Sequence, residues 1–311
     1  MEIMADQKQR FSYEQSLKSM DTEEFIDLKF YRPLGYLWAL FFERLGVTPN
    51  AVSVMSIFLG VGAGILFYFD QLWINVIGML LLIWANTYDS ADGQLARMTG
   101  NFSRFGRILD GACGDIWFIT IYAAICLRLM PGWGIYIWLL GAFAGFCHTK
   151  QASLADYYRN FHLFFVKGKQ GSELDDSEKV KEELAALRFK KDPVYTVFTW
   201  FYYNYTRKQE SVTPGMQAFR RALRKKYHKG AIPAEISDDF RSQSKPLMKY
   251  TNMLSFNTRV IALFASLFIG MPWLYFVFEL IVLNGMLFYM VLTHERICRN
   301  FTNRLDAGEK Q

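Results

Sequence analysis

YDSADGQLARMTGNFSRFGRILDGACGD, Tyr88 to Asp115, begins where a long apolar run ends and carries Asp89, Asp92, Asp110 and Asp115. How those carboxylates are housed decides how the rest of the chain is read. The 311 residues are 52% hydrophobic and 17% aromatic, yet 21% are charged, a mixture that points to segregated regions. The apolar residues fall in blocks at 51–69, 72–85, 116–127, 133–146, 260–270 and 273–292. A hydrocarbon core of about 30 Å takes about 20 residues of helix, so the shorter blocks span only when their semi-polar flanks are included. The expectation is an all-α integral membrane bundle of six helices.

Loop charge sets the orientation, because basic loops stay cytoplasmic. Lys8, Arg10, Lys18, Lys29, Arg32 and Arg44 precede the first block; Arg97, Arg104 and Arg107 surround the link after the second; Arg296, Arg299, Arg304 and Lys310 follow the last. The opposite turns, at 70–71, 128–132 and 270–272, hold only Arg128. Both termini are therefore expected in the cytoplasm. Residues 1–20 are polar and show no secretory leader, which leaves the first membrane helix as the insertion signal. Cys113, Cys126, Cys147 and Cys298 lack the spacing of a disulfide framework or a zinc site and are read as packing residues.

The organisation that follows is an interfacial arm at 1–48, membrane helices 1–4 at 49–166, a basic insert at 167–250, membrane helices 5 and 6 at 251–300, and a tail at 301–311. In the arm, Asp21 is expected to cap an amphipathic helix whose Trp38, Phe41 and Phe42 face the lipid interface, before Pro49 and Asn50 turn the chain into helix 1. Gly60 and Gly64, four apart, permit close approach of a neighbouring helix. Within the insert, EKVKEELAALRFKK (178–191) and MQAFRRALRKKYHK (216–229) have helical spacing. The second, a basic amphipathic helix, could lie on anionic lipid or form half of a solvated hairpin, and both readings stand. Nucleic-acid binding is disfavoured, since the basic residues are tethered to a membrane domain and show no recognition motif.

Ionised carboxylates inside a membrane are costly and need a partner or a wet cavity. Asp89 and Asp92, three apart, share one face near the cytoplasmic end of helix 2, and a short loop returns the chain so that Asp110 starts helix 3 at a similar depth. Converging carboxylates repel each other unless a divalent cation lies between them, and all-oxygen ligation favours magnesium or manganese. Gly93 and Ala96 leave room beside the carboxylates, and Arg97 adds a cation suited to phosphate oxygens. Metal, gap and arginine together describe a diphosphate site more readily than an ion channel.

The run D89-S-A-D92-G93-Q-L-A96-R97, eight residues, then G106-R-I-L-D110 resembles the signature of the CDP-alcohol phosphotransferases, D-x2-D-G-x2-A-R-x8-G-x3-D-x3-D. The resemblance implies a membrane enzyme that moves a phosphate-linked lipid or alcohol from a CDP donor to a hydroxyl and releases CMP. It further implies that Asp89, Asp92 and Asp110 bind metal, with two Mg2+ or Mn2+ ions, that Gly93, Ala96, Arg97 and Gly106 line the CDP site, and that the chain forms a homodimer. The last motif position departs: Gly114 stands where the fourth aspartate is expected, followed by Asp115. A spacing of five residues turns a side chain about 140° away, whereas four leaves about 40°. A π-bulge, made easier by Gly111 and Gly114, would bring Asp115 to the site as fourth ligand and general base.

Lys150, Arg159 and Arg259 are the candidate cations for an anionic acceptor, or else simple interfacial anchors. With them the favoured reaction moves a phosphatidyl group from CDP-diacylglycerol to a polyol such as inositol phosphate. The reverse arrangement, CDP-ethanolamine or CDP-choline delivering to a diacylglycerol or ceramide hydroxyl, is the first alternative. A cation transporter and an inactive scaffold are alternatives of other classes. His148, His162, His228 and His294 are scattered and receive no role, while Glu279 and Asn284 are expected to be interhelical hydrogen-bond partners.

Overall fold

Thr48 and Pro49 set the start of the first long helix. Thr48 is extended and its hydroxyl accepts from Ala51 N at 3.3 Å, while Pro49 occupies the first turn, where its missing N–H costs nothing. The structure is a computed structural model and describes Tyr13, residues 19–168, Ser172, and residues 174–187, 192–227 and 232–307. Lys8, Arg10, Lys18, residues 188–191, His228, Lys229, Lys310 and the side chains of Arg104 and Arg107 lie outside the described residues.

In chain order the helices are α1 (Arg32–Arg44), α2 (Pro49–Leu66), α3 (Leu72–Thr99), α4 (Arg104–Trp133), α5 (Tyr136–Lys167), α6 (Ser177–Ala186), α7 (Pro193–Ser211), α8 (Pro214–Lys226), α9 (Ala234–Ser244), α10 (Met248–Met253), α11 (Phe256–Phe268), α12 (Trp273–Phe278) and α13 (Asn284–Ala307). One π-turn, Glu279–Leu283, joins α12 to α13 without a break. Among the described residues, four helical stretches are long and apolar enough to cross a membrane: Pro49–Leu66, Leu72–Thr99, Leu109–Trp133 and Trp273–Ala307. The other two expected spans form α5 and α11, but α11 has only 13 residues and α5 turns polar halfway along.

Glycines bring the first three long helices together, since α2 packs on both α3 and α4. A Cβ on Gly60 would run into the indole ring of Trp117 on α4, and one on Gly64 would meet Thr120 and the backbone of Ile121. Gly78 on α3 sits equally tightly against Phe67 and the Ala63 carbonyl. Around these contacts Leu82, Trp117, Ile121, Tyr122, Leu263, Tyr275 and Phe276 close one apolar core. At the end where α2 turns into α3, Arg128 donates to Asp70 Oδ1 at 2.6 Å and to Asn75 Oδ1 at 3.1 Å, which neutralises the one cation of the short turns.

The basic insert packs its apolar side against protein and keeps most of its cations outside. Met216, Phe219 and Leu223 of α8 are buried with Phe161 and Phe165 of α5, Phe240 of α9 and Phe301 of α13, so the apolar face of α8 meets protein. Glu295 of α13 fixes that docking, because its carboxylate accepts from Gly215 N at 2.5 Å and Met216 N at 3.2 Å and so caps the α8 N-terminus. Arg221, Arg224 and Lys225 point outward. On α7, Val194, Val197, Trp200 and Phe201 form an exposed apolar strip, while the opposite side leans on α4 and α5.

Two expectations about the arm are corrected. Asp21 caps no helix: its carboxylate pairs with Arg241 Nε at 2.6 Å and Lys245 Nζ at 2.9 Å, cations that hold its pKa well below the usual carboxylate range. Phe42 is buried against Ala91 and Leu95 of α3 because α1 packs on that helix, leaving Leu37 and Phe41 as the outward residues. Trp38 stacks edge-on with Trp84 and Tyr88.

Replacing Gly60 by Ala should lower the stability of the purified protein in detergent by about 1–3 kcal/mol, because the methyl needs the volume that Trp117 fills. Gly62→Ala is the control, as its Cβ would find only Leu81 Cδ1 at 3.8 Å. Equal melting temperatures for the two variants would contradict the packing described.

Candidate metal and diphosphate site

Gly100, at φ 66°, ends α3 in a left-handed turn, and Ser103, whose hydroxyl accepts from Gly106 N at 2.8 Å, starts α4. So short a link returns the chain, and α4 packs on α2 as α3 does. As a result Asp89 and Asp92 of α3 and Asp110 of α4 each place a carboxylate oxygen within 4.8 Å of the other two. Asp92 is only 3% exposed, so water screens its charge poorly. Helix α2 contributes Ser53, whose hydroxyl lies 2.5 Å from Asp92 Oδ2 and donates to it. Carboxylates this close repel one another. An all-oxygen set of this size fits a hard divalent cation, magnesium or manganese.

Beside the carboxylates opens a cavity of about 400 Å³. Its walls are Asn50 and Ser53 of α2; Asp92, Gly93, Ala96 and Arg97 of α3; Asn101, Phe102 and Ser103; Gly106 and Asp110 of α4; and Asp175, from the segment before α6. Every residue expected at a nucleotide site, Gly93, Ala96, Arg97 and Gly106, therefore borders one space. A Cβ on Gly93 would meet nothing nearer than the Arg97 guanidinium at 3.5 Å, so this glycine keeps cavity volume open and does not serve helix packing. Gly106 acts differently. A Cβ there would come within 2.6 Å of Asn50 Oδ1, so glycine lets the start of α2 approach α4.

Asp115 is not brought to the other three. Helix α4 is α-helical from end to end, without the widened turn expected of Gly111 and Gly114, so the five-residue spacing rotates Asp115 out of the site. It borders a second cavity of about 430 Å³, between α4 and α5, together with Phe118, Tyr122, His148 and Thr149. At Gly114, where the motif has its fourth aspartate, an added Cβ would meet nothing within 4 Å.

The three candidate acceptor cations also lie away from the walls of the first cavity. Arg159 Nη2 donates to Thr251 O at 3.2 Å and to Ser255 Oγ at 2.6 Å, fastening α5 to the entry of α11. Arg259 is 1% exposed and its Nη1 sits 2.5 Å from Glu279 Oε2, so it is neutralised inside the bundle. Lys150 Nζ lies 5.6 Å from the Phe146 ring centroid. Sequence reasoning missed Asn50, Ser53 and Asp175. Asn50 and Ser53 were legible in principle, being three apart at a helix start and hence on one side. Asp175 gave no signal, because a fold through the insert delivers it.

Residues 46–152 match the family described as CDP-alcohol phosphatidyltransferase. That stretch holds the three converging aspartates and every wall of the first cavity except Asp175. The chain is 24% identical over 159 residues to a bifunctional IPC transferase and DIPP synthase of Aquifex aeolicus, an alignment that covers 49% of this chain and 33% of that protein. It is 28% identical over 112 residues to an archaetidylinositol phosphate synthase of Pyrococcus horikoshii, covering 36% and 58%. Against a cholinephosphotransferase 1 of Xenopus laevis the figures are 24% over 133 residues, with 38% and 33% covered. The chain thus spans between a third and three-fifths of the length of these relatives.

Ser53→Ala should weaken divalent-cation binding by about tenfold, since Asp92 loses a hydrogen bond that holds its carboxylate in place. Mn2+ titration followed by electron paramagnetic resonance measures this directly. Unchanged Mn2+ affinity would remove Ser53 from the site.

Proposed function

We propose that this chain, whose residues 46–152 match the CDP-alcohol phosphatidyltransferase family, transfers a phosphatidyl group from CDP-diacylglycerol to the hydroxyl of a polar acceptor, inositol phosphate or another polyol, with release of CMP. The observation that carries the proposal is the shared wall: metal-type carboxylates and an arginine beside one roomy glycine face a single cavity of nucleotide size. The archaetidylinositol phosphate synthase among the relatives supports a polyol acceptor.

The site residues divide the work. Asp89, Asp92 and Asp110 would hold two magnesium or manganese ions, which when bound neutralise the donor's diphosphate and the charge that grows on the leaving CMP. Arg97 binds phosphate oxygens and Gly93 and Ala96 admit the diphosphate against the α3 backbone. Ser53 orients Asp92. In the transfer the acceptor oxygen bonds to the lipid-bearing phosphorus as the bond to CMP breaks, and the hydroxyl proton leaves by the cavity mouth.

The same proposal makes α5 and α11 membrane spans as well, fourth and fifth in chain order, although both are shorter in apolar length than the other four. It sets the end bearing the aspartates, the insert and both termini in the cytoplasm, in line with the basic loops. A homodimer belongs with the family resemblance. A reversed donor, CDP-choline or CDP-ethanolamine delivering to a diacylglycerol, is the second reading. Two observations favour it: the similarity to a cholinephosphotransferase, and the engagement of Arg159 and Arg259 elsewhere, which leaves an anionic acceptor with fewer cations. Cation transport accounts for the carboxylates but leaves Gly93, Ala96 and Arg97 without a purpose.

Purified protein given Mg2+, CDP-diacylglycerol and a panel of acceptors should release CMP and form one new lipid; supplying CDP-choline with diacylglycerol tests the second reading in parallel. Asp89→Asn, Asp92→Asn and Asp110→Asn should each lower turnover by about a thousandfold or more, as should chelation by EDTA. Asp115→Asn should keep turnover within about threefold, in keeping with a side chain on the far side of α4. A dead Asp115→Asn enzyme with normal melting would return that residue to the reaction.

A further inference from the structure

Asp175 borders the same cavity as Asp92, Arg97 and Asp110, yet it comes from outside the stretch that matches the family. Its placement is built. Tyr202 Oη of α7 donates to Asp175 Oδ2 at 2.7 Å, and Arg220 Nη2 of α8 donates to the Asp175 carbonyl at 3.1 Å. The next two residues are also held: Asp176 pairs with Arg224 of α8 at 2.5 Å, and Ser177 N and Oγ both donate to Glu210 of α7. Arg220 is itself buried, and Tyr157 Oη of α5 lies 2.9 Å from its Nη1, so the anchor reaches the membrane bundle. Three consecutive residues are thus fixed from two helices. A segment that merely linked α5 to α6 would not need this.

We propose that Asp175 is a substrate-binding residue whose carboxylate accepts a hydrogen bond from a substrate hydroxyl, and that the insert thereby completes the cavity. The inference rests on the transferase reading above. A carboxylate is a poor partner for the diphosphate, and the hydroxyls at hand are those of the donor's ribose and of the acceptor alcohol; carboxylate-to-ribose pairing is a common way to hold a nucleotide. Gly114 leaves the family's fourth carboxylate position empty on α4, so an acid that reaches the cavity from another element has work available. Tyr202 then acts as a positioning residue.

The test compares Asp175→Asn, Asp175→Ala and Tyr202→Phe in the 311-residue protein, with CDP binding measured by calorimetry in Mg2+ and steady-state CMP release measured against each substrate. If the ribose is the partner, Asp175→Asn weakens CDP binding by about ten- to a hundredfold and raises KM for the CDP donor alone. If the acceptor is the partner, CDP affinity holds while KM for the acceptor rises or kcat falls with a changed pH profile. Tyr202→Phe should show the same pattern at about a third of the logarithmic size, with melting temperatures close to the parent throughout. Unchanged CDP affinity and unchanged kinetics in both Asp175 variants overturn the proposal. A parent protein that releases no CMP would sink the transferase reading instead, and the calorimetric arm would still judge Asp175 against the nucleotide.

Discussion

Mutual repulsion among Asp89, Asp92 and Asp110 is the constraint on which the rest of the structure depends. Their oxygens lie within 4.8 Å of one another at the end of an apolar bundle, where water screens charge weakly. Such an arrangement persists only if the helices that carry it cannot separate. The glycine contacts serve that need: Gly60 and Gly64 clamp α2 onto α4, Gly78 clamps α3 onto α2, and Gly106 lets Asn50 approach the start of α4. Packing supplies the rigidity, and a divalent cation would supply positive charge between the three oxygens. Ser53 links the two, since the helix that bridges α3 and α4 also donates to the most buried carboxylate.

A second buried charge cluster shows the opposite solution. Arg259 and Glu279 neutralise each other inside the bundle, and Tyr275 Oη donates to the same carboxylate at 2.6 Å while Gln151 Oε1 accepts from Arg259 Nη2 at 2.8 Å. Glu279 opens the π-turn between α12 and α13, where a carbonyl loses its usual helical partner, and Gln151 Nε2 donates to the Glu279 carbonyl at 3.0 Å. Every charge there has a protein partner of opposite sign. Burying such a pair costs desolvation, and removing either member alone would leave an uncompensated charge, so the cluster is best understood as fixing the register of α5, α11 and α12. The aspartates differ in position: Asp92 and Asp110 border an open cavity, whereas the Arg259–Glu279 pair is closed inside the bundle.

Much of this was legible in the chain. Blocked hydrophobicity gave the long helices, and the i, i+3 spacing of Asp89 and Asp92 with a short return loop gave their meeting with Asp110, because helical periodicity is local physics. Glu279 and Asn284 were also legible as interhelical partners, for a polar group in an apolar helix must find one. What failed had tertiary causes. Arg259 looked like a substrate cation until its acid, twenty residues on, was placed beside it. The basic stripe of α8 left a lipid surface and a solvated hairpin both open, and neither reading foresaw that Glu295, far along the chain, caps the helix while its apolar side joins a core. Asp115 depended on a bulge that two glycines permit but do not compel.

That last point bears on how the insert should be regarded. Its helices carry most of the polar sequence, yet Met216, Phe219 and Phe240 belong to one core with α5 and α13, so the insert cannot be lifted off without exposing apolar surface on two long helices. A unit fastened this firmly transmits position. Helix α5 holds Arg220 through Tyr157, α8 holds the segment before α6 through Arg220 and Arg224, and that segment carries an acid to the cavity wall. The family match covers residues 46–152, which include the metal-type aspartates. Beyond that point the chain adds a wall to the cavity from helices that share their core with α5 and α13, while the three like charges stay on α3 and α4.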